Sequence, residues 1–126
     1  MRSPGHHQWP LHQVKESQLA GKVQVQVDAE TVAVSDDVIR VDEDKSPPRL
    51  YFPRAAVAMD KLEPSSTTTQ CPFKGTARYF NLRVAGRTLR DAVWSYEAPF
   101  DEHHALKDRL AFYDDKFPEI RVNAAR

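Results

Sequence analysis

The sequence of 126 residues has little of several features that mark whole classes of protein. Its one cysteine, Cys71, rules out an internal disulfide and a zinc site built on paired cysteines. It has no apolar run of about 18 residues, the length that a membrane-spanning helix needs. Lysine plus arginine equals aspartate plus glutamate, 18 against 18, so no net charge attracts nucleic acid. We expect a soluble, cytoplasmic protein with no membrane or nucleic-acid partner.

Glycine is also scarce, and the glycine-rich phosphate-binding patterns, the P-loop and GxGxxG, are missing, as is any Gly-Ser dipeptide. His103 and His104 are adjacent, so they point in different directions, unlike the spaced histidine pairs that bind zinc. The stretch "DEDK" at 42–45 has two aspartates, but it runs into two prolines, which favours a solvated loop over a magnesium site. We therefore predict no metal site and no cofactor.

The residues that are present predict a mostly β fold. In "KVQVQV", Val23, Val25 and Val27 alternate with glutamines, which is typical of a half-buried strand. Short strands are also predicted in "TVAV", "DVIRV", "LYFP" and "LAFYDDKF". Two long strands are predicted in "TARYFNLRVAGRTLRDAVWSY", on either side of a turn at Gly86. This pattern indicates a compact antiparallel β-sheet domain, a sandwich or barrel, with one or two short helices.

Other segments are predicted as helical or irregular. "RAAVAMDKL" favours about two turns of helix, and "DEHHALKDR" favours a short helix with Asp101 as its N-cap. Residues 64–72 are polar and indicate a loop that contains Cys71. The first 20 residues contain several turn-forming residues and predict a loosely ordered N-terminal arm. We therefore expect a single domain over residues 21–122.

Four stretches identify a family resemblance: "RLYFP", "TTTQCPFKGTARYFNLRV", "AVWSYEAP" and "LAFYDDK". In this order and spacing they resemble the DUF427 family, small domains of unknown function, over about residues 23–116. The resemblance implies a tent-like β fold similar to the Mss4 group. The family also bears a nucleotidyltransferase label, which implies a nucleotide substrate. However, this chain lacks the Gly-Ser and paired-carboxylate signature of known nucleotidyltransferases.

A first hypothesis is that the domain binds a small molecule, such as a nucleotide or another anionic ligand. The pocket would lie between the "TxCPxKG" stretch and an aromatic sheet face, where tyrosine and tryptophan rings can stack a planar group. Lys74 and the turn amides would hold an anionic group. The expected ligand-binding residues are Arg49, Tyr51, Thr69, Tyr79, Trp94 and Tyr96.

Two alternatives remain open from the sequence. In a cysteine-dependent enzyme or redox protein, Cys71 would be the nucleophile, Lys74 would favour its thiolate, and Glu102 would serve as acid or base. In a protein-interaction domain, exposed aromatic residues would bind a partner. The other role considered for Cys71 is purely structural, as a small apolar side chain under a proline-containing turn. The sequence specifies neither the ligand nor the oligomeric state.

Overall fold

The computed structural model describes residues 3–9 and 11–124. Met1, Arg2 and Pro10 of the expected N-terminal arm lie outside the described residues. The strands are β1 (Val14–Gln18), β2 (Val23–Val27), β3 (Glu30–Ser35), β4 (Ile39–Glu43), β5 (Arg49–Phe52), β6 (Leu62–Cys71), β7 (Gly75–Val84), β8 (Arg87–Tyr96), β9 (Leu110–Phe112) and β10 (Ile120–Ala124). The helical segments are α1 (Pro4–Gln8) and short 3-10 turns at Arg54–Ala56, Met59–Lys61 and Asp101–Leu106.

The strands form two sheets, and every pair of neighbouring strands in the described residues is antiparallel. One sheet has seven strands in the order β1-β4-β5-β9-β8-β7-β6, and the other has three in the order β10-β2-β3. Ala85 and Gly86 both have positive φ, 54° and 74°, which is the pattern of the tight turns that suit twisted hairpins. The prediction of a mostly β, antiparallel fold is confirmed.

One face of the seven-stranded sheet packs against the three-stranded sheet. The valines of β2 are buried and alternate with half-buried glutamines, as their spacing predicted. The resulting cluster joins buried side chains from both sheets. Its members include Val25, Val27, Val32, Phe52, Leu82, Val93, Leu110 and Phe112. This cluster is the main hydrophobic core.

The opposite face of the seven-stranded sheet carries a second apolar cluster. Successive strand residues point to opposite faces, so Tyr51 and Trp94 belong to this cluster while their neighbours Phe52 and Val93 belong to the main core. Its buried members are Ile39, Val41, Tyr51, Ala77, Trp94, Tyr96, Leu106 and Ala111. The aromatic residues of the ligand hypothesis therefore lie together on one sheet face.

The prediction of a polar loop at residues 64–72 was wrong, because most of this segment is part of strand β6. β6 lies at the edge of the seven-stranded sheet and pairs with β7 along one side only. An edge strand with little buried surface does not need alternating apolar residues, so its polar sequence resembles that of a loop. Cys71 is therefore the last residue of a strand.

The helix predicted in "RAAVAMDKL" was also wrong. Two 3-10 turns flank Val57, which forms a β-bridge with Ala33 of β3, and this long-range contact interrupts any continuous helix. In the second helical segment, Asp101 begins a 3-10 turn whose N-cap is Phe100. The final strand, β10, was not predicted, because its alternation is short and its partner β2 is distant in the chain.

The segment expected to be a loosely ordered arm contains two regular elements. Residues 14–18 form β1, which pairs with β4 through five residue pairs. Residues 4–8 form the single helical turn α1. Within the described part of the chain, no helix is both long and apolar enough to cross a membrane.

We expect Leu82→Ala to lower the free energy of unfolding by about 2–5 kcal/mol, because Leu82 is fully buried between the sheets and its truncation leaves a cavity. Arg83→Ala is the matched control, since its side chain is exposed and its ion pair with Glu63 contributes about 0–1 kcal/mol. Urea denaturation measures both changes. Equal losses in the two variants would contradict this description of the core.

Candidate functional site

A row of five side chains crosses the second face of the seven-stranded sheet. The strand register pairs Tyr79 with Trp94, Trp94 with Ala111, Ala111 with Tyr51, and Tyr51 with Ile39. Directly opposed residues share a face, and the ring centroids of Tyr79 and Trp94 are 6.5 Å apart across the hairpin. Alanine between the two large rings leaves room for the indole Nε1 of Trp94 to donate a 3.1 Å hydrogen bond to the Tyr51 hydroxyl.

A cavity of about 150 Å³ lies against this row. All four tyrosines of the chain contribute to its wall. The wall consists of Val41, Glu43, Ser46, Pro47, Arg49, Tyr51, Lys74, Tyr79, Trp94, Tyr96 and Tyr113. These residues come from β4, β5, β7, β8, the segment after β9 and two connecting turns. The wall therefore exists only in the folded sheet.

The aromatic rings of the wall contact one another. The ring centroids of Trp94 and Tyr113 are 4.5 Å apart, and Tyr79 stacks on Tyr113 at 6.4 Å with an interplanar angle of 16°. Tyr51 meets Trp94 edge to face, at 6.2 Å and 87°. These distances are typical of favourable aromatic pairs, so the rings hold one another in place.

Lys74 lies in the turn between β6 and β7, with its side chain only 8% exposed. Its Nζ donates a hydrogen bond to Glu43 Oε1 at 2.5 Å. The next residue, Gly75, has a φ of 118°, and a Cβ there would lie 3.3 Å from the carbonyl oxygen of Ala98. The Phe100 N–H donates to the Lys74 carbonyl at 3.0 Å. A glycine and a close backbone contact therefore hold the turn with Lys74 in the cavity wall.

Glu43 is the acidic residue of the wall. Burial by itself raises the pKa of its carboxyl, but the hydrogen bonds and charges of Lys74 and His12 outweigh this effect, and the pKa lies below its ordinary value. His12 Nε2 is 3.1 Å from Glu43 Oε2. Glu43 is therefore ionised at neutral pH and connects the ammonium group of Lys74 to the imidazole of His12.

Arg49 supplies a second cation. Its guanidinium lies 5.2 Å from the ring centroid of Trp94 and 5.0 Å from that of Tyr113, within the range of cation–π contacts. It also donates a 2.6 Å hydrogen bond to Asp115 Oδ1, and this bond lowers the pKa of the Asp115 carboxyl. Asp115 is not part of the wall, so the cavity itself contains two cations and one carboxylate.

The phenol groups add hydrogen-bond donors to the wall. None of the hydrogen bonds between described residues involves the Tyr96 hydroxyl. The Tyr51 hydroxyl accepts a hydrogen bond from Trp94, which leaves its own proton for another acceptor. Burial raises the pKa of Tyr51 and Tyr96 far above the ordinary tyrosine value, and it also raises the pKa of Tyr79. These phenols therefore stay protonated at physiological pH.

The structure brings six of the nine predicted site residues into one wall. They are Arg49, Tyr51, Lys74, Tyr79, Trp94 and Tyr96. Thr69 lies beside the wall, where its hydroxyl is 3.1 Å from that of Tyr79. Glu102 does not contribute to the wall, and its carboxylate accepts the Ser3 N–H at 2.9 Å. The functional roles of all nine residues stay predictions.

Cys71 is partly buried and packs against the second cluster without forming part of the cavity wall. Within the described residues, no hydrogen bond to its sulfur is present, and the ammonium of Lys74 is engaged by Glu43 instead. Its role as nucleophile stays a prediction.

Five residues of the wall were not among the predicted site residues, and two of these, Glu43 and Tyr113, contribute a carboxylate and an aromatic ring. Glu43 lies in "DEDK", which was interpreted as a loop, but it is the last residue of β4 and faces the same way as Val41. Tyr113 follows β9 and points to the same face as Ala111. Extending the alternation of each strand by one more step, from Val41 to Glu43 and from Ala111 to Tyr113, would have placed both side chains on this face.

The two aspartates of "DEDK" have other partners. Asp42 accepts hydrogen bonds from Arg40, and Asp44 accepts one from the Gln13 N–H. Across the described ranges, no three His, Cys, Asp or Glu side chains are grouped as a metal site requires.

The model of a family described as a domain of unknown function, DUF427, with the short label NTP_transf_9, matches residues 15–123. No curated protein matches the chain. The match begins before residue 21, the expected start of the domain, and includes every residue of the cavity wall.

We expect Tyr51 and Tyr96 to remain un-ionised until alkali unfolds the protein. Their folded pKa values lie above the unfolded value of about 10, so the stability that they contribute is complete below pH 10 and is lost above it. Each phenol should cost about 1.4 kcal/mol of stability per pH unit above that value. Tyrosinate absorbance and circular dichroism, followed together against pH, measure this. Ionisation of all four tyrosines near pH 10 in a folded protein would contradict the buried environment.

Proposed function

The chain belongs to the DUF427 family, whose description assigns no function, and from this premise we propose that the domain binds a small planar anion in the aromatic cavity. The observation that carries the proposal is the composition of the wall, which combines four tyrosines and a tryptophan with Lys74 and Arg49. Aromatic faces stack planar groups, and cations with phenol donors bind oxyanions. A few convergent polar groups in an aromatic cavity are typical of ligand sites.

The size of the cavity limits the ligand. A volume of about 150 Å³ equals that of a protein cavity that holds benzene. One six-membered ring with a carboxylate therefore suits the site. A complete nucleotide exceeds this volume, and it would place only its base or a single phosphate inside.

The anionic group of the ligand belongs beside Lys74 and Tyr96. An ammonium group has three N–H donors, and Glu43 takes one of those of Lys74. The Lys74 Nζ is 6.0 Å from the centre of the Tyr96 ring, whose hydroxyl is a second donor. Lys74 is paired with Glu43 and Arg49 with Asp115, and each cation keeps further N–H donors for the oxygens of an anionic ligand.

The catalytic roles expected of Cys71, Lys74 and Glu102 do not enter this proposal. Cys71 and Glu102 lie outside the wall, and Lys74 has the role of a binding cation here. The enzyme and protein-interaction hypotheses stay predictions.

We expect benzoate to bind the full chain, with benzamide binding about tenfold or more weakly because it lacks the charge that strengthens hydrogen bonds to the wall. Cyclohexanecarboxylate keeps the charge but loses the planar ring, so it should also bind more weakly than benzoate. Isothermal titration calorimetry at neutral pH compares the three compounds. Equal affinities for benzoate and benzamide, or no benzoate binding, would sink the proposal.

Tyr96→Phe is the sharpest variant for the same measurement. It removes only a hydroxyl that bonds to no described residue, so the free energy of unfolding should not fall. If that hydroxyl donates to the ligand, benzoate binding should weaken about tenfold. Lys22→Gln, at an exposed lysine outside the wall, is the charge control and should bind benzoate as the wild type does. If Tyr96→Phe binds benzoate as the wild type does, the Tyr96 hydroxyl does not contact the ligand.

A further inference from the structure

The segment of residues 3–9 and 11–12 precedes the family-matched residues 15–123, and it packs on the turn that carries Lys74. The Ser3 hydroxyl and the Gly5 N–H both donate to the carbonyl oxygen of Pro72, at 2.5 and 2.7 Å. The Ser3 N–H donates to the carboxylate of Glu102. Ser3 and Gly5 are therefore attached directly to the turn between β6 and β7.

The same segment covers the next residue of the turn, Phe73. The His12 ring stacks on the Phe73 ring at 4.4 Å with an interplanar angle of 15°, and the Trp9 ring lies 6.2 Å away. Phe73 is buried as a result. Because Phe73 directly precedes Lys74 in the chain, these contacts restrict the backbone that positions the ammonium group.

Gly5 allows the closest approach between the segment and the turn. A Cβ at this position would lie 2.6 Å from the Pro72 carbonyl oxygen and 2.7 Å from the Phe73 ring. The backbone oxygen cannot move aside without displacing the turn. Any larger residue at position 5 therefore separates the segment from the turn, although Gly5 itself does not line the cavity.

A chain of polar contacts links the segment to the cavity. His12 Nε2 is 3.1 Å from one carboxylate oxygen of Glu43, and the other oxygen accepts the 2.5 Å hydrogen bond from Lys74. His12 therefore fixes the orientation of Glu43, and Glu43 fixes the position of the Lys74 ammonium. His12 itself does not line the cavity.

We infer that Ser3, Gly5 and His12 are a component of the binding site of this chain, with His12 as a positioning residue that acts on Lys74 through Glu43. The inference rests on the proposed function, since it concerns the same cavity. It adds a part of the site that lies outside the DUF427 match. Ligand binding in the cavity and packing of the segment on the turn are then coupled. The factor by which the packed segment raises the ligand affinity equals the factor by which bound ligand favours the packed segment.

Gly5→Ala tests the inference at a distance from the cavity. It should weaken benzoate binding by about fivefold or more, the lower end of the usual coupling between two sites. Gln8→Ala, at an exposed position of the same short helix, is the control and should leave the dissociation constant unchanged. Benzoate should also slow hydrogen exchange of the Gly5 amide in the wild type, as reciprocity requires.

Two substitutions at His12 separate positioning from packing. His12→Phe keeps the stack on Phe73 but loses the nitrogen that faces Glu43, whereas His12→Gln keeps a donor and loses the ring. We expect His12→Phe to weaken benzoate binding about fivefold and His12→Gln to restore most of the affinity. The inference is overturned if Gly5→Ala and His12→Phe both bind benzoate within about twofold of the wild type, below the range of such coupling.

A measurement without ligand keeps this inference distinct from the proposed function. The rate of Lys74 acetylation by acetic anhydride, read by mass spectrometry against exposed Lys22, reports how well the ammonium is held. Gly5→Ala should raise this ratio, and Gln8→Ala should not. If benzoate fails to bind the wild type, the proposed function fails, and a raised ratio still supports positioning of Lys74 by the segment. An unchanged ratio in Gly5→Ala contradicts that positioning whatever benzoate does.

Discussion

The ion pair between Lys74 and Glu43 is the interaction on which the site depends. Glu43 ends β4 and Lys74 precedes β7, and the sheet order places β5, β9 and β8 between those two strands. Four steps at the usual strand spacing amount to about 19 Å in a flat sheet. The 2.5 Å contact therefore needs the turn that carries Lys74 and both long side chains to reach across the sheet face, and both residues line the cavity. A buried ammonium is costly without a partner, so the pair keeps Lys74 in the wall.

The two faces of the seven-stranded sheet have different surroundings and therefore different side chains. One face is covered by a second sheet and needs only apolar side chains of the right volume. The other face must bury its centre while it borders a water-accessible cavity. Tyrosine and tryptophan suit this border because each combines a large apolar ring with one polar group. This explains why all four tyrosines lie on the same face, and why Ala111, the small residue of the row, separates the two rings that hydrogen-bond.

Much of the fold and part of the site follow from the sequence. The valine repeat of β2 and the alternation of apolar and polar residues on either side of Gly86 predict strands, because a half-buried strand has one apolar face. The register of the long hairpin then places Tyr79 beside Trp94. β6 was missed because an exposed edge strand has no apolar alternation. Cys71 was a candidate because it is the only cysteine of the chain, but its being the only one does not indicate where it lies in the fold. The cavity wall does not include it.

By itself the sequence determined the strands with apolar alternation, the tight hairpin turn, and the presence of aromatic side chains at alternate positions, since these depend on local periodicity and backbone conformation. Only the tertiary structure decided which of those side chains share a cavity. Lys74 meets Glu43, and Glu43 meets His12, through contacts between segments about thirty residues apart in the chain. Such contacts depend on strand order and on the paths of the connecting turns, and no local pattern of residues specifies either of them.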